Sequence, residues 1–560
     1  MKIKIILITI LGGVLLTGCK KDFLEKKPLS SFSEIDVFVD ASLLDTYVLG
    51  TYRGMGHPFG GEGFEFTEMA SDNGYTRHGG DGDRMREYTR GEIGPQNGEA
   101  ITRNKWAGSY NDIRRVNVFF EKIAGSPIDV ARLTTAKGEM RFLRAFFYLQ
   151  LLKWYGGVPL ITASFPLGQG DYGVARSTAD EVAAFIVQQC DSAITELPAF
   201  AAVQRGRISK EAAMALKGRT LLYAASPLFN PSNDQAKWIL ARDANKAVMD
   251  VASIPNLSSP ARYHDIFNGK NNEEIILARY FTDINAHGGG SWGSNLWLYP
   301  NGLNGWGMIV PTQNLVDAYE MTNGKPISDP TSGYDQQNPY TNRDQRLSES
   351  ILFNGASFFD PVSSQTRPME YWEDANSTTI GGRESVRGPS PHNASLTRYN
   401  FRKYTDEGKP ADASGANENT SPFVYFRKAE FYLNYAEAQI ALGAEGEART
   451  ALGVVRARVG MPAVTETGAA LMTKYQNERR VEMAFEELRL DDIRRWKIGP
   501  TALGVPARGV RVLRNNTTMQ YDYNLIVDGA RKWDDKMYLL PIPFTEIQKS
   551  NGRLVQNPGY

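Results

Sequence analysis

Thiols are almost absent from this chain: 560 residues hold two cysteines, Cys19 and Cys190. Cys190 falls on one helical face with Val182, Ile186, Val187, Ile194 and Leu197, so it reads as a buried, inert group. Histidine is scarce as well. The five, at positions 57, 78, 264, 287 and 392, show no paired metal-ligand spacing. Asp81-Gly82-Asp83 hints at a calcium turn but lacks the other ligand positions of such a loop. No metal and no cofactor are therefore expected. Net charge is missing too, since Lys plus Arg and Asp plus Glu both number 63. A polyanion such as nucleic acid finds no electrostatic footprint here. Beyond the first apolar stretch, no run approaches the length of a membrane-spanning helix.

What is present begins at the N terminus. Lys2 and Lys4 precede the nearly continuous apolar stretch Ile5 to Leu16, and small residues then lead into Cys19. This is the design of a secretory signal, and the apolar part is short for a membrane span. The ending Leu16-Thr17-Gly18-Cys19 resembles the bacterial lipobox, which implies cleavage after residue 18 and diacylglycerol on the Cys19 thiol. Residues 1–18 are then a leader and 19–40 a lipidated tether. Lys20-Lys21-Asp22 resembles the surface-export signal of Bacteroidetes lipoproteins. Lys2 and Lys4 leave with the leader, so 61 basic residues face 63 acidic ones. With Cys19 lipidated, Cys190 is the only thiol left and no intrachain disulfide forms.

From about 105 to 255 the chain reads as amphipathic helices. In Ala131–Tyr155, apolar residues recur at Leu133, Ala136, Met140, Leu143, Phe147, Leu151 and Trp154. Phe146, Leu149 and Leu152 add a second apolar face, so the end of that helix is expected to be buried all round. Gly156-Gly157 and Pro159 stop it, and Ser209 is a candidate cap for a later helix. Helices return over about 425–500, at Arg427–Leu442, Glu445–Val459 and Ala469–Trp496. Between them, about 256–424 turns to Gly, Asn, Ser, Pro and aromatics with short strand-like runs such as Glu274–Phe281. That region is too long for a structureless loop and should fold against the helices.

The stretch Asn477 to Trp496, Asn-Glu-Arg-Arg-Val-Glu-Met-Ala-Phe-Glu-Glu-Leu-Arg-Leu-Asp-Asp-Ile-Arg-Arg-Trp, interleaves charges with an apolar face of Val481, Ala484, Phe485 and Leu488. By itself it describes a scaffold helix laced with salt bridges, with an unfavourable i,i+4 pair at Glu478 and Glu482. As a pattern it resembles the signature helix of the SusD/RagB family of nutrient-binding outer-membrane lipoproteins. Other segments match the same family in the same order: Trp106-x-x-x-Tyr110-x-x-Ile113-x-x-x-Asn117; Glu139 to Tyr148 leading to Trp154-Tyr155-Gly156-Gly157-Val158-Pro159-Leu160; Arg427 to Ala438; Tyr538 to Pro543; and Gln556-Asn557-Pro558-Gly559-Tyr560. The resemblance implies a mainly α fold in which tetratricopeptide-like helix pairs carry a loop-rich insertion with short strands, all within one domain over 41–560. It also implies an outer-membrane, lipid-anchored, surface-exposed protein. Such a protein delivers glycans, or in some branches peptides, to a SusC-like TonB-dependent transporter.

The ligand-binding candidates come from the loops. Trp292, Trp297 and Trp306 fall within fifteen residues, among Gly288-Gly289-Gly290, Gly293, Tyr299, Gly302, Gly305 and Gly307. Flat aromatic faces suit the C–H faces of sugar rings, and glycine lets backbone approach closely. Trp292, Trp297, Tyr299 and Trp306 are expected to stack on sugar. A second glycine-rich loop, 54–98, carries Ser71-Asp72-Asn73 and Arg77, and this run resembles the part of the family that supplies polar contacts. Asp72, Asn73 and Arg77 are expected to orient hydroxyls. Tyr371 and Trp372 form a third, weaker candidate.

Catalytic readings are weaker. Gly289-Gly290-Ser291-Trp292-Gly293 matches G-x-S-x-G, but a nucleophile elbow needs a strand directly before it and a helix directly after. The strand-like run ends near Phe281, and Asn295, Pro300 and Gly302 do not read as a helix. Glu65, Glu68 and Asp72 could supply the paired carboxylates of a glycosidase, although no spacing in sequence tests their separation. The expectation is therefore a non-enzymatic glycan-binding lipoprotein, with peptide capture, or less readily a surface glycoside hydrolase, as the alternative.

Overall fold

The computed structural model describes residues 34–560 apart from 60–65, 78–80, 100, 103, 167, 169–172, 256, 258–261, 269–271, 288–292 and 412–418. Cys19 and Trp292 lie outside the described residues. Helix accounts for 43% of the chain against 11% strand, so the mainly α expectation holds.

The helices begin where the sequence supplies caps. Asp40 accepts from the Ser42 and Leu43 amides at the head of α1 (Ala41–Tyr52), a helix that the sequence reading did not include. After α2 (Lys105–Lys122), Asp129 caps α3 (Val130–Tyr155), and Gly156 ends it in the left-handed region at φ 75°. Thr178 and Glu181 form a reciprocal capping box for α4 (Ala179–Glu196). The Ser209 hydroxyl accepts from the Ala212 amide at 3.2 Å and starts α5 (Lys210–Ala225), as its sequence position suggested. Next comes α6 (Gln235–Met249). Neighbours in sequence pack together from α2 to α6; α6 then packs on α7 (Lys428–Ala441), and α7 on α8 (Glu445–Ala457). The last two turns of α3 are enclosed almost all round, and Cys190 is fully buried in α4, where burial pushes its thiol up.

One expected helix is two. The run 469–496 divides into α9 (Gly468–Glu482) and α10 (Arg489–Arg495). Between them Phe485 and Glu487 sit at φ 65° and 63°, a region costly for any residue with a Cβ. The break turns the Phe485 ring onto Phe401, with centroids 4.0 Å apart, and sends Glu486 and Glu487 inward. The charges of this stretch are buried rather than solvated. Glu478 and Glu482, repulsive as a bare pair, share Arg346 at 2.6 and 2.8 Å. Arg427 joins Glu274, Glu482 and Glu486 at 2.7–2.9 Å. These ion pairs fasten the middle of the chain to α9, and each carboxylate keeps a cation that offsets part of its desolvation.

The middle region contributes short strands. β1 (Gly74–Thr76) pairs antiparallel with β3 (Ile309–Pro311), and β2 (Ile275–Arg279) with β4 (Phe423–Arg427). β2 falls within the expected strand-like run. A hairpin near the C terminus, β5 (Ala507–Asn515) with β6 (Thr518–Asp528), was not read from sequence. Its two-residue turn starts at Asn516, which takes a positive φ of 55°. The chain end closes over α3: the Leu540 amide donates to the Trp154 carbonyl at 2.7 Å, and the Asn557 side chain to that of Tyr155 at 3.1 Å.

Candidate functional site

The tryptophan segment is a closed backbone loop. Ser294–Leu298 forms a five-residue helix after Gly293, where the sequence reading expected none, and Asn304 at φ 63° reverses the chain. The Trp306 amide then donates to the Leu296 carbonyl at 2.6 Å, Gly307 to Tyr299 at 3.0 Å and Met308 to Trp297 at 3.1 Å. Gly305 passes so close to the Tyr299 carbonyl that a Cβ would lie 2.2 Å from that oxygen, so a side chain has no room there. This closure presses Trp297 and Trp306 edge to face, with centroids 5.6 Å apart and planes at 61°. Trp297 is 8% exposed and Trp306 keeps an intermediate exposure.

Tyr299 takes a different place from the one expected of it. Its ring is fully buried, edge-on to Phe358, and its hydroxyl donates to the Asp406 carbonyl at 2.6 Å. It shapes the loop from beneath and offers no open face for stacking.

The β1–β3 register joins the two loops that sequence kept more than two hundred residues apart. Gly74 lies opposite Pro311, Tyr75 opposite Val310 and Thr76 opposite Ile309. The pairing continues on both sides: the Arg77 amide donates to the Met308 carbonyl at 2.9 Å, and the Thr312 amide to the Asn73 carbonyl at 3.0 Å. Arg77 thereby stands beside Met308, two residues from Trp306. Its guanidinium donates to the Ala394 carbonyl, and burial together with the nearby Arg398 cation lowers its pKa.

Asp72 and Asn73 depart from the polar-contact role given to them. Arg489 holds the Asp72 carboxylate at both oxygens, at 2.8 and 2.9 Å, and Arg480 approaches at 3.0 Å. Burial favours the neutral acid, but the Arg480 and Arg489 charges outweigh it and bring the pKa to about 2. The Asn73 side-chain oxygen Oδ1 accepts from Arg480 at 2.8 Å. Both side chains are buried, and they rivet the 67–77 segment to α9 and α10 rather than facing solvent. The third candidate is enclosed as well. Tyr371 is fully buried with its hydroxyl on Asn400 at 2.9 Å, and the Arg514 guanidinium lies 3.1 Å over the Trp372 ring.

Beneath this region lies a carboxyl pair, Glu68 buried and Glu487 half-buried. Glu68 accepts from the Phe485 amide at 2.6 Å, and Glu487 from the Thr67 amide and hydroxyl at 2.8 and 2.7 Å. Burial, and then the charge of Glu487, raise Glu68 to about 8; burial raises Glu487 to about 7. These two side chains hold the left-handed break between α9 and α10. Of the carboxylates weighed for glycosidase chemistry, Glu68 is committed to backbone and Asp72 to arginine, while Glu65 lies outside the described residues. Ser291 of the G-x-S-x-G match lies outside them too.

Residues 273–560 match the sequence model of the SusD family, and residues 22–222 match one described as starch-binding associating with outer membrane. The chain is similar to SusD-like protein P2 of Formosa agariphila, at 23% identity with 100% of both chains covered. It is also similar to a solved SusD-like protein from Bacteroides fragilis, with a TM-score of 0.76 and 28% identity over 96% of this chain and 100% of that one. A SusD-like carbohydrate binding protein from the same species gives a TM-score of 0.75 at 23% identity, covering 92% of this chain and 100% of that one. A laminarin binding SusD-like protein gives 0.61 at 22% identity, covering 93% and 99%.

Proposed function

This chain belongs to the SusD family, and from that premise we propose that it captures an oligo- or polysaccharide at the cell surface and passes it to a SusC-like TonB-dependent transporter. The observation that carries the proposal is the β1–β3 pairing, which sets Arg77 beside a rigid loop whose Trp306 ring remains partly open. Trp306, backed by Trp297, offers a stacking face, and Arg77 offers donors to hydroxyls at its edge. Trp292, outside the described residues, is kept as a proposed ligand contact on its sequence alone. A stacking contact worth about 0.5–1.5 kcal/mol, repeated two or three times, approaches the roughly −4 kcal/mol of a millimolar complex. Repeated sites along a polymer make such weak binding useful.

Cys19 is the proposed lipid anchor at the outer membrane; among the described residues no helix is long and apolar enough to cross a membrane. The protein is proposed to be non-catalytic, because the Asp72 carboxylate is held by Arg489 and Arg480 and one oxygen of the buried Glu68 accepts from the Phe485 amide.

The test is calorimetric titration of the purified protein against a panel of plant, host and microbial glycans, with a peptide library alongside. Saturable binding to one glycan class supports capture, and retrieval of a SusC-like barrel by the tagged protein from its own outer membranes supports delivery. Binding of peptides alone, with every glycan silent, contradicts the carbohydrate reading. Turnover of a glycan substrate contradicts the non-catalytic one.

A further inference from the structure

An arginine stands at each end of the tryptophan loop. At the first end the Asn301 side chain donates to the Arg383 carbonyl at 3.2 Å and to the Ser390 carbonyl at 3.0 Å. Gly302 lies so close to this segment that a Cβ on it would run into the Glu384 carboxylate and sit 3.0 Å from the Arg383 Cβ. The Arg383 backbone thus anchors the loop, while its side chain is exposed and makes no ion pair or hydrogen bond among the described residues. At the second end a Cβ on Gly307 would lie 2.7 Å from the Asn393 carbonyl, and the half-buried Arg77 donates to the next carbonyl, that of Ala394. No described carboxylate pairs with Arg77. Behind it Arg398 shares Glu373 with Arg387 and Arg511, at 2.9, 3.0 and 3.4 Å, so three guanidiniums draw on one carboxylate. The other acids of 360–398 leave little to balance Arg383. Glu384 and Asp360 are held by Arg367 at 2.7 and 3.3 Å, Asp374 accepts from the Asn376 amide at 2.8 Å, and only the half-buried Glu370, beside Gly382, remains.

We propose that the saccharide taken by this loop carries an anionic group, a carboxylate or a sulfate ester, and that Arg383 selects it, with Arg77 gripping from the opposite end. This rests on the carbohydrate reading of the Trp306 face. A guanidinium presents a planar fork of donors that matches a carboxylate or a sulfate in a charge-assisted pair. Stacking holds the ring of a sugar, and the arginines read its substituent. A neutral glycan would leave the Arg383 charge unused. Because that side chain fastens no part of the fold, its charge and the stability of the loop can be varied separately.

Calorimetry on the full-length protein in mild detergent decides it. Polygalacturonate and alginate carry only carboxylates, κ-carrageenan only sulfate esters, and laminarin, galactomannan and starch no charge. The expected result is saturable binding of an acidic polymer, silence from the neutral ones, and affinity lower by about fivefold or more when NaCl rises from about 0.05 to about 0.5 M. Arg383→Gln should weaken that binding about tenfold with the melting curve of the parent, and Arg383→Lys, which keeps the charge, should recover part of the loss. Should Arg383→Gln melt lower, the preference and salt response of the parent decide alone. Binding of polygalacturonate or alginate without κ-carrageenan assigns a carboxylate, and the reverse a sulfate ester. Binding of neutral polymers, alone or equally well, overturns the proposal and leaves the carbohydrate reading standing. Silence from every polymer overturns the proposal and counts against that reading too. Acidic binding undiminished in a stably folded Arg383→Gln protein overturns the proposal.

Discussion

Replacing Asp72 by Asn separates a residue that fastens the fold from one that touches ligand. The Asp72 carboxylate is held by Arg489 and Arg480 at 2.8–3.0 Å, and its pKa drops from an ordinary 3.8 to about 2. At 1.36 kcal/mol per unit, that drop corresponds to a stabilisation of about 2 kcal/mol near neutral pH. The sign follows from the depressed value: the contribution is complete above about pH 4 and is lost as pH falls towards 2. Asn keeps the size of the side chain but removes the counter-charge from two buried guanidiniums, and breaking a buried pair costs about 3–5 kcal/mol. Urea unfolding of Asp72→Asn should therefore show a loss of about 2–4 kcal/mol near neutral pH, and the gap from the parent should narrow in strong acid. The folded variant should bind glycan within about twofold of the parent, since the Asp72 carboxylate is buried against Arg489 and Arg480. Full stability with collapsed affinity would refute this reasoning and return Asp72 to the ligand.

Three further predictions follow from the same contacts. Arg346→Met leaves Asp344, Glu478 and Glu482 without their shared cation, and urea unfolding should show a loss of about 3–5 kcal/mol. Glu68 has a raised pKa, so its contribution is complete below about pH 4.5 and fades as pH rises through about 8; Glu68→Gln should reduce the parent's loss of stability between pH 5 and 8 by more than about 1 kcal/mol. Gly305→Ala would put a Cβ 2.2 Å from the Tyr299 carbonyl, so calorimetry should show glycan binding weakened by about two- to tenfold, as for loss of the Trp306 ring, together with a lowered melting temperature.

The legible parts of this fold are those written locally. Ser209 carries its capping chemistry in its own hydroxyl and Gly156 its stopping chemistry in the lack of a Cβ, and the apolar face of α3 repeats over about six turns. Phe485 and Glu487 give no such signal, because a left-handed residue that is not glycine is imposed by partners far along the chain, here Glu68 and Thr67. Asp72 was visible as a polar group, but its role depends on Arg489, 417 residues away. The pairing of Gly74–Thr76 with Ile309–Pro311 is three residues long on each side, too short to leave a periodicity. Composition marked the tryptophan loop; only the fold separates the half-open Trp306 from the buried Tyr299.

The central claim, a carbohydrate face built on Trp306 and Arg77, is tested most directly by calorimetry of Trp306→Ala with the glycan that the parent binds. The account predicts an unchanged melting curve and affinity lower by about two- to tenfold, the worth of one stacking contact. Parent-like affinity in a folded Trp306→Ala protein would contradict it and place the ligand elsewhere on the molecule.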